Sequence, residues 1–323
     1  MIWLLIVLAA SAAYPGSSAR AAAQDFPLKS VRFVVGFAPG GGADSAARSV
    51  AQKLNEAWGQ SVIIDNRAGA GGNVATEIVA RAAPDGYTLL ISSPGPIVTN
   101  PFLYSKLPYD PHKDLAPVTL IASSVNLILV NPSAPVSNVR ELIAWARSKP
   151  GGVNYASSGI GSTPHLAGEL LKAAAHIDMV HVAYKSAAPA VIDLIGARVD
   201  MLVASLPTSL AQVRAQRLKA IAVASLKRSP ALPEVPTADE SGVPGYEVVT
   251  WWGLLAPAGV PGNLISKINQ VVVTNLKSPE MKASLARDGA DAIGNSPAEF
   301  GAFIQKESAK WSQVIKTSGV KIE

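Results

Sequence analysis

Short runs of β-branched residues alternate with stretches of helical period along this chain, and the alternation runs twice. Val31-Arg32-Phe33-Val34-Val35-Gly36-Phe37 reads as a buried strand, and Asp44–Trp58 as a helix with Ala47, Val50, Ala51, Leu54 and Trp58 on one face. Ser61–Asp65 is a second strand, Asn73–Ala83 a helix, Pro84-Asp85-Gly86 a turn and Tyr87–Ile91 a third strand. Strand–helix–strand order of this kind builds an α/β fold, a mostly parallel sheet with helices on both faces.

The rhythm restarts with a strand at Asn126–Asn131 and a helix at Ser137–Ser148. Strands follow at Val153–Ala156, Met179–Val182, Val199–Ala204 and Leu218–Ala224, with helices at Ser162–Ala175 and Ser186–Gly196 between them. After a proline-rich stretch, Tyr246–Ala256 reads as a long strand carrying Trp251 and Trp252. The tail is helical, and Ser296-Pro297-Ala298-Glu299 is a capping box with proline at the first helical position. Two similar units with helices after the second predict one lobe interrupted by another: residues 24–125 plus 250–323, and residues 126–249. The two chain crossings form a hinge, and a cleft between hinged lobes suits a small ligand.

Composition removes whole classes of chemistry. The 323 residues contain no cysteine, so disulfides, thiolate catalysis, Cys-based zinc sites and iron–sulfur clusters are excluded. Four histidines leave little for a metal site, and no cofactor is expected. The formal net charge is +5, spread over scattered basic residues without a nucleic-acid-type run. Met1–Ala10 is an apolar run too short to span a bilayer. With Ala21-Ala22-Ala23 before Gln24, it reads as a signal peptide over residues 1–23, cleaved near Ala23, although no Lys or Arg follows Met1.

Two loops suit an anion. Phe37-Ala38-Pro39-Gly40-Gly41-Gly42-Ala43-Asp44 follows the first strand and opens the first helix, where free N–H groups and the helix dipole meet a ligand. It is neither a P-loop nor a dinucleotide fingerprint, and Asp44 is read as a cap rather than a contact. Tyr155-Ala156-Ser157-Ser158-Gly159-Ile160-Gly161-Ser162-Thr163-Pro164-His165 repeats the arrangement in the second unit. Its serines do not fit a nucleophile elbow, and His165 alone reads first as a packed residue. The loop Asn66–Asn73 either lines the cleft or is a structural turn. Ser92, Ser93 and Thr99 follow the third strand, and Ser205 follows Val199–Ala204, both at strand ends where ligands bind. Trp251 and Trp252 either cover a ligand or, more often at a hinge strand, fill the core.

The motifs Phe37-Ala38-Pro39-Gly40-Gly41-Gly42, Asn66-Arg67 with Gly69-Ala70-Gly71-Gly72-Asn73, and Ala83-Pro84-Asp85-Gly86-Tyr87-Thr88-Leu89-Leu90 resemble the Bug family of periplasmic solute receptors. So do Leu107-Pro108-Tyr109-Asp110-Pro111, Ser157-Ser158-Gly159 with Pro164-His165-Leu166-Ala167-Gly168-Glu169-Leu170, Val180–Lys185, Lys227–Thr237 and Gly253–Gly259. The resemblance runs in order along nearly the whole mature chain. It implies a type II-like two-lobed periplasmic binding protein that closes on a small carboxylate and delivers it to the membrane permease subunits of a tripartite tricarboxylate transporter. It implies a monomer without nucleic-acid partners. It places ligand contacts at Ala38, Gly40, Gly41, Ser157, Gly159, Ser162 and His165, with Ser92 and Ser205 near the distal end of the ligand. Such receptors often carry Asp or Asn where this chain has Ser205, so a plain carboxylate or an aromatic acid is expected rather than an amino acid. The competing readings are an exported α/β hydrolase, which needs a nucleophile with its base, and a receptor that reports to a sensor kinase.

Overall fold

The structure, a computed structural model, describes residues 26–318; the expected signal peptide lies outside them. The first unit builds β1 (Val31–Val35), α1 (Gly42–Trp58), β2 (Val62–Asn66), α2 (Asn73–Ala80) and β3 (Thr88–Ser92). β1 lies between β2 and β3, parallel to both, as right-handed crossover connections require. Val31, Phe33, Val34 and Val35 are all buried, because helices cover both faces. After β3 the chain makes a π-turn at Gly95–Thr99 and a short helix α3 (Asn100–Leu103).

The long strand β4 (Leu115–Val130) joins the two units. The expected strand at Asn126–Asn131 is only its second half. The first half escapes the pattern because Pro117 and Ser123-Ser124 interrupt the apolar run, and the strand absorbs them with irregularities at Pro117/Thr119 and Leu120/Ala122. β9 (Val249–Pro257) runs antiparallel to β4 from Leu115 to Val125, and antiparallel to β3 on its other side. From Asn126 to Val130 the partner of β4 changes to β7 (Met201–Ser205).

In the second unit, β5 (Val153–Ser157) lies parallel to β6 (Met179–Ala183) and β7. β8 (Lys219–Val223) and the two-residue β10 (Asp291–Ala292) also pair with β4. Helices α4 (Val139–Ser148), α5 (Thr163–Ala175), α6 (Ala187–Ile195) and α7 (Leu206–Arg214) alternate with these strands. α8 (Gly262–Leu276), α9 (Pro279–Arg287) and α10 (Pro297–Ser318) complete the chain. The sheet order is β2-β1-β3-β9-β4-β7-β5-β6, parallel in each outer half and antiparallel where β9 and β4 cross between the halves.

α10 begins at the expected capping box: Ser296 Oγ accepts the Glu299 N–H, and the Glu299 carboxylate accepts the Ser296 N–H. Its Phe300, Ile304 and Trp311 share one buried cluster with Tyr155 and Leu166 of the second unit, so this helix braces both halves.

Candidate functional site

A small cavity of about 50 Å³ lies between the two halves. From the first unit come Phe37, Gly41, Gly42, Ala43, Ser93, Thr250 and Trp252. The second contributes Ser158, Ser162, Thr163 and Pro164 of the loop entering α5, Ser186 and Ala187 at α6, and Ser205 and Thr208 at α7. The two glycine-bearing loops therefore share one cavity, and two further helix starts join them. No lining residue is ionisable.

The helix starts explain what the cavity can hold. The first amides of any helix lack an intrahelical partner. α1, α5, α6 and α7 begin at Gly41, Ser162, Ser186 and Ser205, and none of these residues caps its helix with a side-chain hydrogen bond. The amides and the positive dipole ends stay available to an anion. Uncharged donors also avoid the desolvation cost of a buried ion pair. Trp252 and Phe37 supply the apolar part of the wall.

The expected residues divide. Gly41, Ser162 and Ser205 are on the cavity wall. Ser205 Oγ lies 3.1 Å from Thr208 Oγ1, and Ser162 Oγ donates to Gly159 O at 2.6 Å. Ala38 and Gly40 are not on the wall, and the first loop offers Gly41, Gly42 and Ala43 instead. The Gly40 amide is already bound to Asp44 Oδ2 at 3.1 Å. Asp44 sits inside the first turn of α1 rather than at its cap. Burial pushes its carboxyl up, but hydrogen bonds from Arg48, Gly40 and Asn66 more than offset this and hold it below the usual range.

Ser92 is also off the wall. Its neighbour Ser93 lines the cavity, while Ser92 stays in β3 opposite Gly253. Ser157 is fully buried behind the wall, with its Oγ 2.6 Å from His181 Nε2, and Ser158 faces the cavity instead. Gly159, with φ +120°, sits where any Cβ would come within 3.2 Å of the Gly71 amide, so it is a close contact between the halves rather than a cavity residue.

His165 is buried and accepts the Gly161 N–H on Nδ1 at 3.2 Å, which holds the loop from behind. Its ring lies 4.2 Å from that of His181. Burial, reinforced by the neighbouring His165, brings His181 from its ordinary 6.5 down to about 4, and burial also lowers His165. The Ser157–His181 pair is the kind a hydrolase would use, but neither residue lines the cavity.

The loop Asn66–Asn73 acts as a brace. Asn66 Nδ2 donates to Phe37 O and Asp44 Oδ1, and Asn73 Oδ1 accepts from Tyr109 and Asn100. The adjacent tryptophans separate because consecutive strand residues face opposite ways. Trp251 packs edge-on against Phe300 and Phe303, whereas Trp252 forms cavity wall. Ser186 and Thr208 were not singled out from sequence. The signal for Ser186 was present, since a serine preceding a helical period is a standard N-cap.

Residues 46–320 match the model of the tripartite tricarboxylate transporter family receptor. Protein BugT of Bordetella pertussis is 34% identical over 100% of this chain and 99% of its own. Among solved structures, R. palustris Rpa4515 with adipate is 40% identical, with a TM-score of 0.89 over 91% of this chain and 99% of that one. MatC from Rhodopseudomonas palustris with bound malate is 32% identical, with a TM-score of 0.86 over 90% and 100%. The α/β architecture with a cavity between two lobes is that of periplasmic binding proteins, and the chain belongs to the tripartite tricarboxylate transporter receptor family.

Proposed function

We propose that this protein is a periplasmic receptor that closes on a small carboxylate, releases it unchanged and delivers it to the permease of a tripartite tricarboxylate transporter, acting as a monomer and not as an enzyme. The observation that carries this reading is the convergence of the uncapped starts of α1, α5, α6 and α7 on a cavity without an ionisable wall residue. Such a wall can hold a negative charge and offers no group to shuttle a proton at neutral pH. The adipate and malate bound to similar proteins are ligands of the same chemistry.

The lobes in this reading are residues 24–125 plus 250–323, and residues 126–249. They move about the two crossing strands, near Val125–Asn126 in β4, where its partner changes from β9 to β7, and near Val249–Thr250 at the start of β9. Ligand meets one lobe first, and closure removes water from the carboxylate. Tyr104 Oη donates to Ile160 O across the proposed lobes, a bond that closure keeps and opening breaks.

The test is calorimetric titration of the mature protein with mono-, di- and tricarboxylates, followed by proton NMR of the incubated mixtures. Saturable binding of at least one acid with no new product supports the proposal. Binding of none, or appearance of a product, contradicts it.

A further inference from the structure

The loop between β5 and α5 lines the cavity with Ser158 and Ser162 and touches the first unit at the same time. Tyr104 Oη donates to Ile160 O, and Thr99 Oγ1 donates to Gly161 O at 3.4 Å. This seam leaves no room for a side chain at two glycines of the first unit. A Cβ on Gly71 would stand 2.2 Å from Ile160 O, and one on Gly95 2.8 Å from Gly161 O. The loop therefore has to keep one shape to fit the facing unit and the cavity together. Two histidines behind it set that shape. His165 Nδ1 accepts the Gly161 N–H at 3.2 Å. His181 Nε2 lies 2.6 Å from Ser157 Oγ, which accepts the Gly159 N–H at 3.1 Å. The two rings are 4.2 Å apart, so a charge on one opposes a charge on the other.

We infer that His165 is a positioning residue for ligand binding: as a neutral ring it fixes the β5–α5 loop, and on gaining a proton it frees that loop, so that the receptor lets go of its carboxylate in acid. This rests on the reading of the cavity as a carboxylate site. A ring nitrogen that accepts a hydrogen bond carries no proton, so the neutral ring holds its proton on Nε2. A second proton goes to Nδ1, where it meets the Gly161 N–H, and two donors cannot stay at 3.2 Å. A charged ring also attracts the ligand, which acts in the opposite sense. The lost acceptor outweighs this, because neither ring lines the cavity, whereas the loop and its helix bring Ser158, Ser162 and Thr163 to the wall. The charged neighbours are Glu169 and Lys172 on α5, paired at 3.1 Å. Tyr155 on β5 stacks on both rings and donates to Glu169, Tyr246 donates to Ala167 O, and Tyr104 faces the loop from the first unit. Burial, the largest influence on His165, and Lys172 disfavour the charged ring, and Glu169 favours it.

Succinate, adipate, citrate and benzoate are titrated by calorimetry into wild type, His165→Asn and His165→Leu, from about pH 7.5 to about pH 5. Asparagine offers Oδ1 in the place of Nδ1 and does not titrate, and leucine offers no acceptor. For an acid that binds, wild-type affinity is expected to hold down to about pH 6.5 and then to fall by up to about tenfold per pH unit, the most that linkage to one proton allows. Protonation of the acid itself is common to all three proteins, so the ratio to His165→Asn isolates the ring. His165→Asn binds as wild type does at the upper pH and lacks the extra fall. His165→Leu binds about tenfold more weakly throughout, as an unpaired Gly161 N–H predicts. The Gly161 amide signal of labelled wild type shifts with the same midpoint as the affinity. Should His165→Leu fail to fold, the His165→Asn profile and the Gly161 signal decide. Equal profiles for wild type and His165→Asn, affinity that rises in acid beyond that variant, or a Gly161 amide that ignores pH overturns the inference while the carboxylate receptor stands. Failure of all four acids to bind wild type at the upper pH overturns both.

Discussion

Two kinds of helix start coexist in this molecule. α4, α9 and α10 begin at Asn138, Ser278 and Ser296, and each of these side chains accepts an amide from its own first turn. α1, α5, α6 and α7 begin without such a bond, and all four starts lie on the cavity wall. Serine serves on both sides of this division, so residue type does not decide it. A capped start spends its amides on the fold. An uncapped start leaves them free, at a cost of about 1 kcal/mol of helix stability each, and α2 and α8 do so away from the cavity. What sets the cavity apart is that four uncapped starts meet there, and on the proposed reading the local stability given up serves binding.

The contrast is broken most severely at α1. Gly41 has φ −93°, and a Cβ built there meets nothing nearer than Ala38 O at 4.0 Å. Gly41→Val is expected to fold with nearly unchanged melting temperature and to lose at least about a hundredfold in carboxylate affinity, because several hydrogen bonds to one charged group are blocked together. Gly42→Val differs, because its Cβ would stand 2.4 Å from Trp252 Cζ2. This variant should lose binding and about 1–3 kcal/mol of stability through overpacking. Circular dichroism melts beside calorimetry separate the two, and equal melting temperatures with intact binding in Gly41→Val would remove α1 from the site.

A second test concerns a loop amide near α5 that is spent on a histidine, the Gly161 N–H on His165. His181 titrates at about 4 in the fold and near 6.5 when unfolded, chiefly because burial disfavours the charged ring, and His165 moves in the same direction. The unfolded chain therefore takes up protons first as pH falls, and stability should decline between about pH 6.5 and pH 4. Glu169, which opposes the shift, and Lys172, which adds to it, are the charged neighbours. The expected loss is about 1–2 kcal/mol after allowance for solvent around the rings. Urea melts across this range should show it, and His181→Asn should flatten the slope. An unchanged slope in that variant would place the titration elsewhere.

The smallest effect is predicted on the capped side. Asn138→Ala removes a cap far from the cavity and should cost about 1 kcal/mol of stability without altering affinity. A change in ligand affinity would mean that the two kinds of helix start are coupled.

Much of this was legible in the residues. Gly40-Gly41-Gly42 after a β-branched run, and Gly/Ser before Thr163-Pro164, announced two helix starts that meet at one cavity, and Ser296–Glu299 announced a third that does not. What stayed hidden depends on phase and on partners. Ser92 and Ser93, Ser157 and Ser158, and Trp251 and Trp252 are adjacent, and a one-residue phase decides which of each pair faces the cavity. β4 was half hidden by Pro117 and Ser123-Ser124, whose compensation lies in distant strands. The idle hydroxyl of Ser186 cannot be told from a working cap without coordinates.

The central claim is that free helix-start amides, with no side-chain charge, hold the ligand. Amide proton and nitrogen shifts recorded while adipate is titrated into labelled protein test it most directly. The account predicts large downfield changes at Gly42, Ala43 and Ala187, the response of an N–H that gains a carboxylate. Saturable binding that leaves those amides unmoved, with the changes gathered at lysine or arginine side chains, would contradict it.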